Sequence, residues 1–189
     1  MGMGKAIDPA GLSESGEQCV RIINRLRLLD LQTDQLISSI LPPVESHVDR
    51  MLAGLIELSK VANYPLVREM LNRLEKDLFE NWDGKMEWLA KGFSVKVRGE
   101  TEYQMLKHVI ESRNAIIHGN GTLTERQRGN FNQLVTLKRN LTKHLLIELH
   151  GIRMEFSPAS RARVFEIVIV FIDAFDSAIL SSFPEAKRL

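Results

Sequence analysis

Apolar positions recur every three or four residues along almost the whole chain, the period of helices that each bury one stripe. Val20, Ile23, Leu26, Leu29 and Leu36 predict a first helix from about Ser13 or Ser15 to Ser39. Pro42-Pro43 should break it, because proline has no N–H to give and its ring clashes with the preceding turn. A second helix can begin there, since the first turn tolerates proline. Its stripe is Val44, Val48, Met51, Leu52, Leu55, Leu58 and Ala62. Asn63-Tyr64-Pro65 marks the next break. Val67, Met70, Leu71, Leu74 and Leu78 resume the spacing up to an end or kink around Asp83-Gly84, with a short helical continuation at Met86 to Leu89. Gly92 to Gly99 alternates like a strand, but no second run offers it a partner. It is expected to be an extended loop that tucks Phe93 and Val95 into the core.

A fourth helix is expected from about Glu100 to Ile117, with Met105, Leu106, Val109, Ile110 and Ile117 inward. Gly119-Asn120-Gly121 should end it, glycine supplying the left-handed residue that follows a helix. Thr124-Glu125-Arg126-Gln127 reads as a capping box. The helix it opens carries Phe131, Leu134, Val135, Leu141, Leu145 and Leu149. Gly151 to Pro158 reads as a linker. A last helix, about Ala159 to Ser182, is apolar on most sides and so belongs at the centre of the fold or at a subunit interface. The pattern predicts an all-α protein: an up-and-down bundle of about five to six helices, residues 13–189 as one domain behind a disordered lead, 1–12.

Composition narrows the function classes. With 44% hydrophobic and 26% charged residues in 189, the chain can bury a sizeable core. A formal net charge of +1 gives no global field toward nucleic acid, so any such binding must come from a local patch. The single cysteine, Cys19, excludes an intrachain disulfide and a cysteine-rich zinc site. Its apolar neighbours at helical spacing predict a buried, inert thiol. Met1 to Ala10 lacks the apolar stretch of a secretory signal, and Ala6 stands where an N-myristoylation signal requires Ser or Thr. Val164 to Leu180, the most apolar run, carries Glu166, Asp173 and Asp176, which favours a core helix over a membrane span. A cytoplasmic protein without a membrane partner is expected.

The candidate chemistry lies in Arg113-Asn114-Ala115-Ile116-Ile117-His118-Gly119-Asn120-Gly121. Arginine grips phosphate as a planar, permanently charged fork. Histidine both takes and gives a proton near neutral pH. Spacing alone is weak evidence, because Arg139-Asn140-Leu141-Thr142-Lys143-His144 repeats it. Residues five apart in a continuing helix point about 140° away from each other. Arg139 and His144 lie inside a pattern that runs on through Leu145 and Leu149, so they read as a solvated face. His118 falls where the pattern ends, and there the backbone is expected to let it swing back toward Arg113. The plainer alternatives are a helix-terminal histidine on free carbonyls and an Arg113 salt bridge with Glu111.

The stretch Glu111 to Gly121 resembles the signature of HEPN domains, all-helical proteins of prokaryotic defence and toxin systems, and is most similar to their RiboL-PSP-like branch. Their motif is Arg, four to six residues, then His, usually with a polar residue after the Arg. Arg113, Asn114 and His118 match it. In HEPN toxins silenced by adenylylation a tyrosine stands two residues after the histidine. Here that residue is Asn120, so that silencing does not carry over. The resemblance implies metal-independent endoribonuclease activity with no cofactor, RNA as partner, a homodimer that joins two motifs in one cleft, and a cognate antitoxin or defence partner. Arg113, Asn114 and His118 would be catalytic. Asn120, Lys138, Arg139 and Lys143 are the candidate substrate contacts, the three cations being either an RNA-backbone contact or a solvated face. The family equally contains non-catalytic helical dimers that scaffold a partner.

Other candidates are weaker. His47, His108, His144 and His150 show no metal-ligand spacing. Glu45, His47 and Asp49 alternate with Val44 and Val48 as an outer helix face would. Trp82 and Trp88 are expected in packing roles. No glycine-rich phosphate loop or nucleophile elbow occurs.

Overall fold

A computed structural model describes residues 11–79, 81–97 and 100–189, with the backbone alone for 75–79. Most of the expected lead, together with Leu78 and Gly99 of the elements above, therefore lies outside the described side chains. The helices are α1 (Glu14–Leu28), α2 (Thr33–Leu58), α3 (Pro65–Phe79), α4 (Trp82–Gly92), α5 (Thr101–Gly119), α6 (Glu125–Arg128), α7 (Phe131–Leu145) and α8 (Pro158–Ser182). A two-stranded antiparallel hairpin, β1 (Glu148–His150) and β2 (Arg153–Glu155), separates α7 from α8. The described residues are all-α apart from this hairpin.

α8 is the hub, packing on α1, α2, α5 and α7. It can do so because Val164, Val168, Phe171, Ile172, Phe175 and Ile179 are all buried. Phe171 stacks on Phe175 and receives Trp82 edge-on. Cys19 is buried as expected, and burial, reinforced by Asp176, pushes its thiol up to about 12. Leu12 is already in the core, so the folded part begins within the expected lead. Among the described residues no helix is long and apolar enough to cross a membrane.

Several element boundaries differ from the expected ones. The first helix stops at Leu28, and a new one starts at Thr33. Gln35 accepts from the Gln32 backbone N–H (3.1 Å) at that start. The Arg161 guanidinium fills the end of α1, donating to the carbonyls of Leu29 (2.8 Å), Leu31 and Arg27. Pro42 and Pro43 sit inside α2 instead of breaking it. Leu41 and Val44 beside them are fully packed, while Pro42 faces solvent, where water can satisfy the carbonyls that lose a donor. Asn81, accepting from Gly84 N–H (2.7 Å), caps α4, which opens at Trp82, ahead of the expected break at Asp83-Gly84. Val95 is buried and Phe93 half-buried in an extended segment, as read from the sequence.

The capping box at Thr124 and Gln127 forms, but the helix it opens lasts four residues. α7 then begins with Asn130 as its cap. Gly151 to Pro158 is no linker. Gly151 (φ 64°) takes the first central position of a two-residue turn, and Arg153 to Glu155 pair back on β1. Leu149 accordingly lies in a strand.

Candidate functional site

The expected site occupies the C-terminal half of α5. That helix is regular through Gly119, so His118 does not sit in a frayed tail. Arg113 and His118 therefore diverge by about 140° around the helix and are separated by about 7.5 Å along it. The expected swing of His118 back to Arg113 does not occur, because the left-handed residue that releases the helix is Asn120 (φ 49°), one residue beyond Gly119. Four residues apart on a regular helix, Asn114 and His118 share one side of α5 instead. Arg113 shares its side of the helix with Ile110 and Ile117. Ile117, expected inward, is 49% exposed.

Glu111 is not a partner for Arg113. Its carboxylate accepts from Gln127 Nε2 (2.6 Å) and pairs with Arg126 (3.3 Å), tying α6 to α5. Among the described residues the side chains of Arg113, Asn114 and His118 have no hydrogen-bond or ion-pair partner. His118 is exposed, and Arg113 and Asn114 are half-buried.

The turn behind them is firmly held. Gly121 N–H returns to the Ala115 carbonyl (3.1 Å), and Gly121 O accepts from Met154 N–H (2.9 Å). Leu123 N–H reaches Ile152 O (2.9 Å), and Thr122 bridges Arg153. The Gly-Asn-Gly turn is thus stitched to the hairpin. Asn120 is its left-handed hinge, with an exposed side chain.

The second copy of the spacing, on α7, is built differently. Lys138, Arg139, Thr142 and Lys143 line a depression of about 430 Å³ with Leu149 of β1. His144 turns the other way and stacks on His108 of α5, with ring centroids 5.2 Å apart and planes 12° from parallel. It is not on a purely solvated face. Burial, then His144 and Lys107, hold His108 below the ordinary histidine range; burial, then Lys143 and Arg163, do the same for His144. Phe131 and Val135 of α7, expected inward, are 76% and 49% exposed.

Two polar clusters with buried members were not foreseen, and they correct the outer-face reading: His47 is buried, while Glu45 and Asp49, 42% and 35% exposed, turn toward a buried lysine. His47 is buried, its Nδ1 2.9 Å from Ser15 Oγ and its Nε2 3.1 Å from Asp176 Oδ1, the latter at ion-pair distance but off the line of a hydrogen bond. Asp176 also accepts from Ser13 N–H (2.6 Å) and Ser13 Oγ (3.1 Å) at the start of α1. The trio of Ser15, His47 and Asp176 has the composition of a hydrolytic triad. Burial of all three, together with the cap role of Ser13, makes it a clasp between α1, α2 and α8. The second cluster places Lys85, wholly buried, between Glu45 (2.8 Å) and Asp49 (2.7 Å) and within cation–π range of Trp82. Burial raises Asp49 above the usual carboxylate range, and Lys85 partly offsets it. Carboxylates four apart on an apolar helix, with a lysine in a Trp-x-x-Lys run, were the available signal. Among the described residues no group of three or more His, Cys, Asp or Glu side chains could hold a metal ion.

In comparisons with known proteins, no family model, no curated protein and no solved structure matches this chain.

Proposed function

We propose that the chain is a HEPN-like, metal-independent endoribonuclease of a prokaryotic toxin or antiviral defence system, acting in the cytoplasm as a homodimer. The observation that carries this reading is the end of α5. Three polar side chains suited to phosphate and proton transfer, Arg113, Asn114 and His118, stand there without partners beside the exposed Ile117. Their divergence within one helix requires the centre to be composite. Arg113 of one copy meets His118 of the other where two α5 ends pack through Ile117, and a mostly helical chain is compatible with that family.

In such a cleft the RNA 2′-hydroxyl attacks the adjacent phosphorus. The O2′–P bond forms and the P–O5′ bond breaks. One His118 accepts the 2′-hydroxyl proton, and His118 of the second copy gives a proton to the leaving 5′-oxygen. Arg113 holds the non-bridging oxygens as charge builds on phosphorus, and Asn114 orients them. The products are a 2′,3′-cyclic phosphate and a 5′-hydroxyl. Asn120, Lys138, Arg139 and Lys143 contact the substrate, no cofactor takes part, and a cognate antitoxin or defence partner would restrain the activity.

Complementation tests the composite centre. Arg113→Ala and His118→Ala should each be inactive on a mixed RNA pool, and their mixture should regain a small fraction of wild-type cleavage, because a heterodimer keeps one Arg–His pair whose single His118 acts as base while water protonates the leaving 5′-oxygen. Activity in either single variant would end the proposal. A second reading has an observation of its own. α5 runs unbroken through His118, which suits a non-catalytic helical dimer that binds RNA or a protein partner. Wild-type protein that binds RNA without cutting it would select that reading.

A further inference from the structure

The outer face of α7, whose cations are assigned to the substrate above, has an order that the α5 centre does not account for. Phe131, Val135, Lys138 and Thr142 follow one another at four, three and four residues, so they form one row along a regular helix. The row is exposed and apolar at its start, with Phe131 and Val135, and basic at its end. At the basic end Lys138, Arg139 and Lys143 line the depression against Leu149, and among the described residues no carboxylate lines it. The nearby hairpin acids, Glu148 and Glu155, lie by His150. Among the described residues none of the three cations has an ion pair.

We infer that this face is a track for single-stranded RNA, with the phosphate backbone in the depression and an unpaired base laid on Phe131. The inference rests on the RNA reading above and names the form of RNA. An exposed ring offers nothing to a duplex, whose base faces are already stacked, but offers a platform to a free base. Unpaired cations in a groove without acids are complementary to a chain of phosphates and would be costly opposite an ordinary mixed-charge protein surface. From Phe131 to Lys143 the track spans about 18 Å, room for a few nucleotides.

The test is binding, by fluorescence anisotropy, of wild-type protein to a labelled 2′-O-methyl 12-mer, which cannot be cut by 2′-hydroxyl attack, and to the blunt duplex of the same sequence. The single strand should bind at least tenfold more tightly. Phe131→Ala should weaken single-strand binding roughly fivefold or more, and Phe131→Tyr should retain it. Lys138→Ala/Lys143→Ala should flatten the log–log salt dependence by about 1.4, at ~0.7 per phosphate contact on a single strand. Equal affinity for the duplex, wild-type affinity in Phe131→Ala, or an unchanged salt slope would each overturn the track. Since the probe is uncleavable, these results are independent of catalysis. A chain that binds here yet leaves natural RNA intact refutes the nuclease and keeps the track; one that cuts RNA with Phe131 and both lysines dispensable does the reverse.

Discussion

The chain carries the same Arg-Asn-x-x-x-His spacing twice, on α5 and on α7, and the two copies have different fates. On α5 the histidine is exposed and all three polar groups are free. On α7 the histidine is stacked on His108 and the arginine lines a basic depression on another flank. Both copies lie in unbroken helix, so in neither do Arg and His converge within one chain. Helical spacing therefore cannot separate a site from a surface. What separates them is the neighbouring elements: α6 draws Glu111 away from the first copy, whereas α5 supplies His108 to the second.

The contrast breaks most easily in catalysis. His118→Ala should lower the cleavage rate by roughly 10²–10⁴-fold, the usual worth of a positioned proton carrier. His144→Ala should leave kcat within a few-fold. Single-turnover cleavage of one defined RNA checks both, and equal losses would erase the distinction between the copies.

Acidification should then act on the second copy through stability. His108 and His144 are both held below the ordinary value of about 6.5 in the fold. The unfolded chain thus takes up their protons first as pH falls. Their contribution is complete above about pH 6.5 and is lost as pH drops from there toward the folded-state values. Urea midpoints at pH 7.5 and 5.5 should differ more for wild type than for His144→Gln. An identical pH dependence would show that the stacked pair is not the sensor.

The smallest effect concerns how the two helices end. α5 is released by Asn120 and α7 by Leu146 (φ 56°), both left-handed. Asparagine tolerates that region, whereas leucine is strained there by about 1–2 kcal/mol. Leu146→Gly should relieve up to about 1 kcal/mol, raising Tm by roughly 2–4 °C in a domain of this size. Asn120→Gly should be close to neutral. Calorimetry of the two variants decides it, and a lower Tm for Leu146→Gly would mean that its half-exposed side chain outweighs the strain.

Much of the fold was legible because burial stripes survive in the sequence. Val44 to Leu55, the α8 run and the Thr124 box all formed as patterned. The failures have local causes. Leu28-Leu29 carries the helical stripe past a break made by Arg161, more than a hundred residues away. Gly151-Ile152 held a two-residue hairpin signal that the apolar Leu149 disguised as helix. Phe131 and Val135 counted as core by residue type, although type does not reveal whether another element arrives to cover a face. The candidate site was legible as residue identities but not as geometry, because two further residues of α5, His118 and Gly119, decide where the histidine points.

The hydrogen bonds from Ser13 to Asp176 bridge 163 positions of the chain. A ribosome would release α1 long before the aspartate that clasps its first turn exists, and closing so large a loop costs entropy that only finished packing can offset. Closure of that clasp is thereby set as a late event of folding, and a nascent chain stalled short of position 176 would hold α1 by its packing on α2 alone, more open to chaperones and proteases.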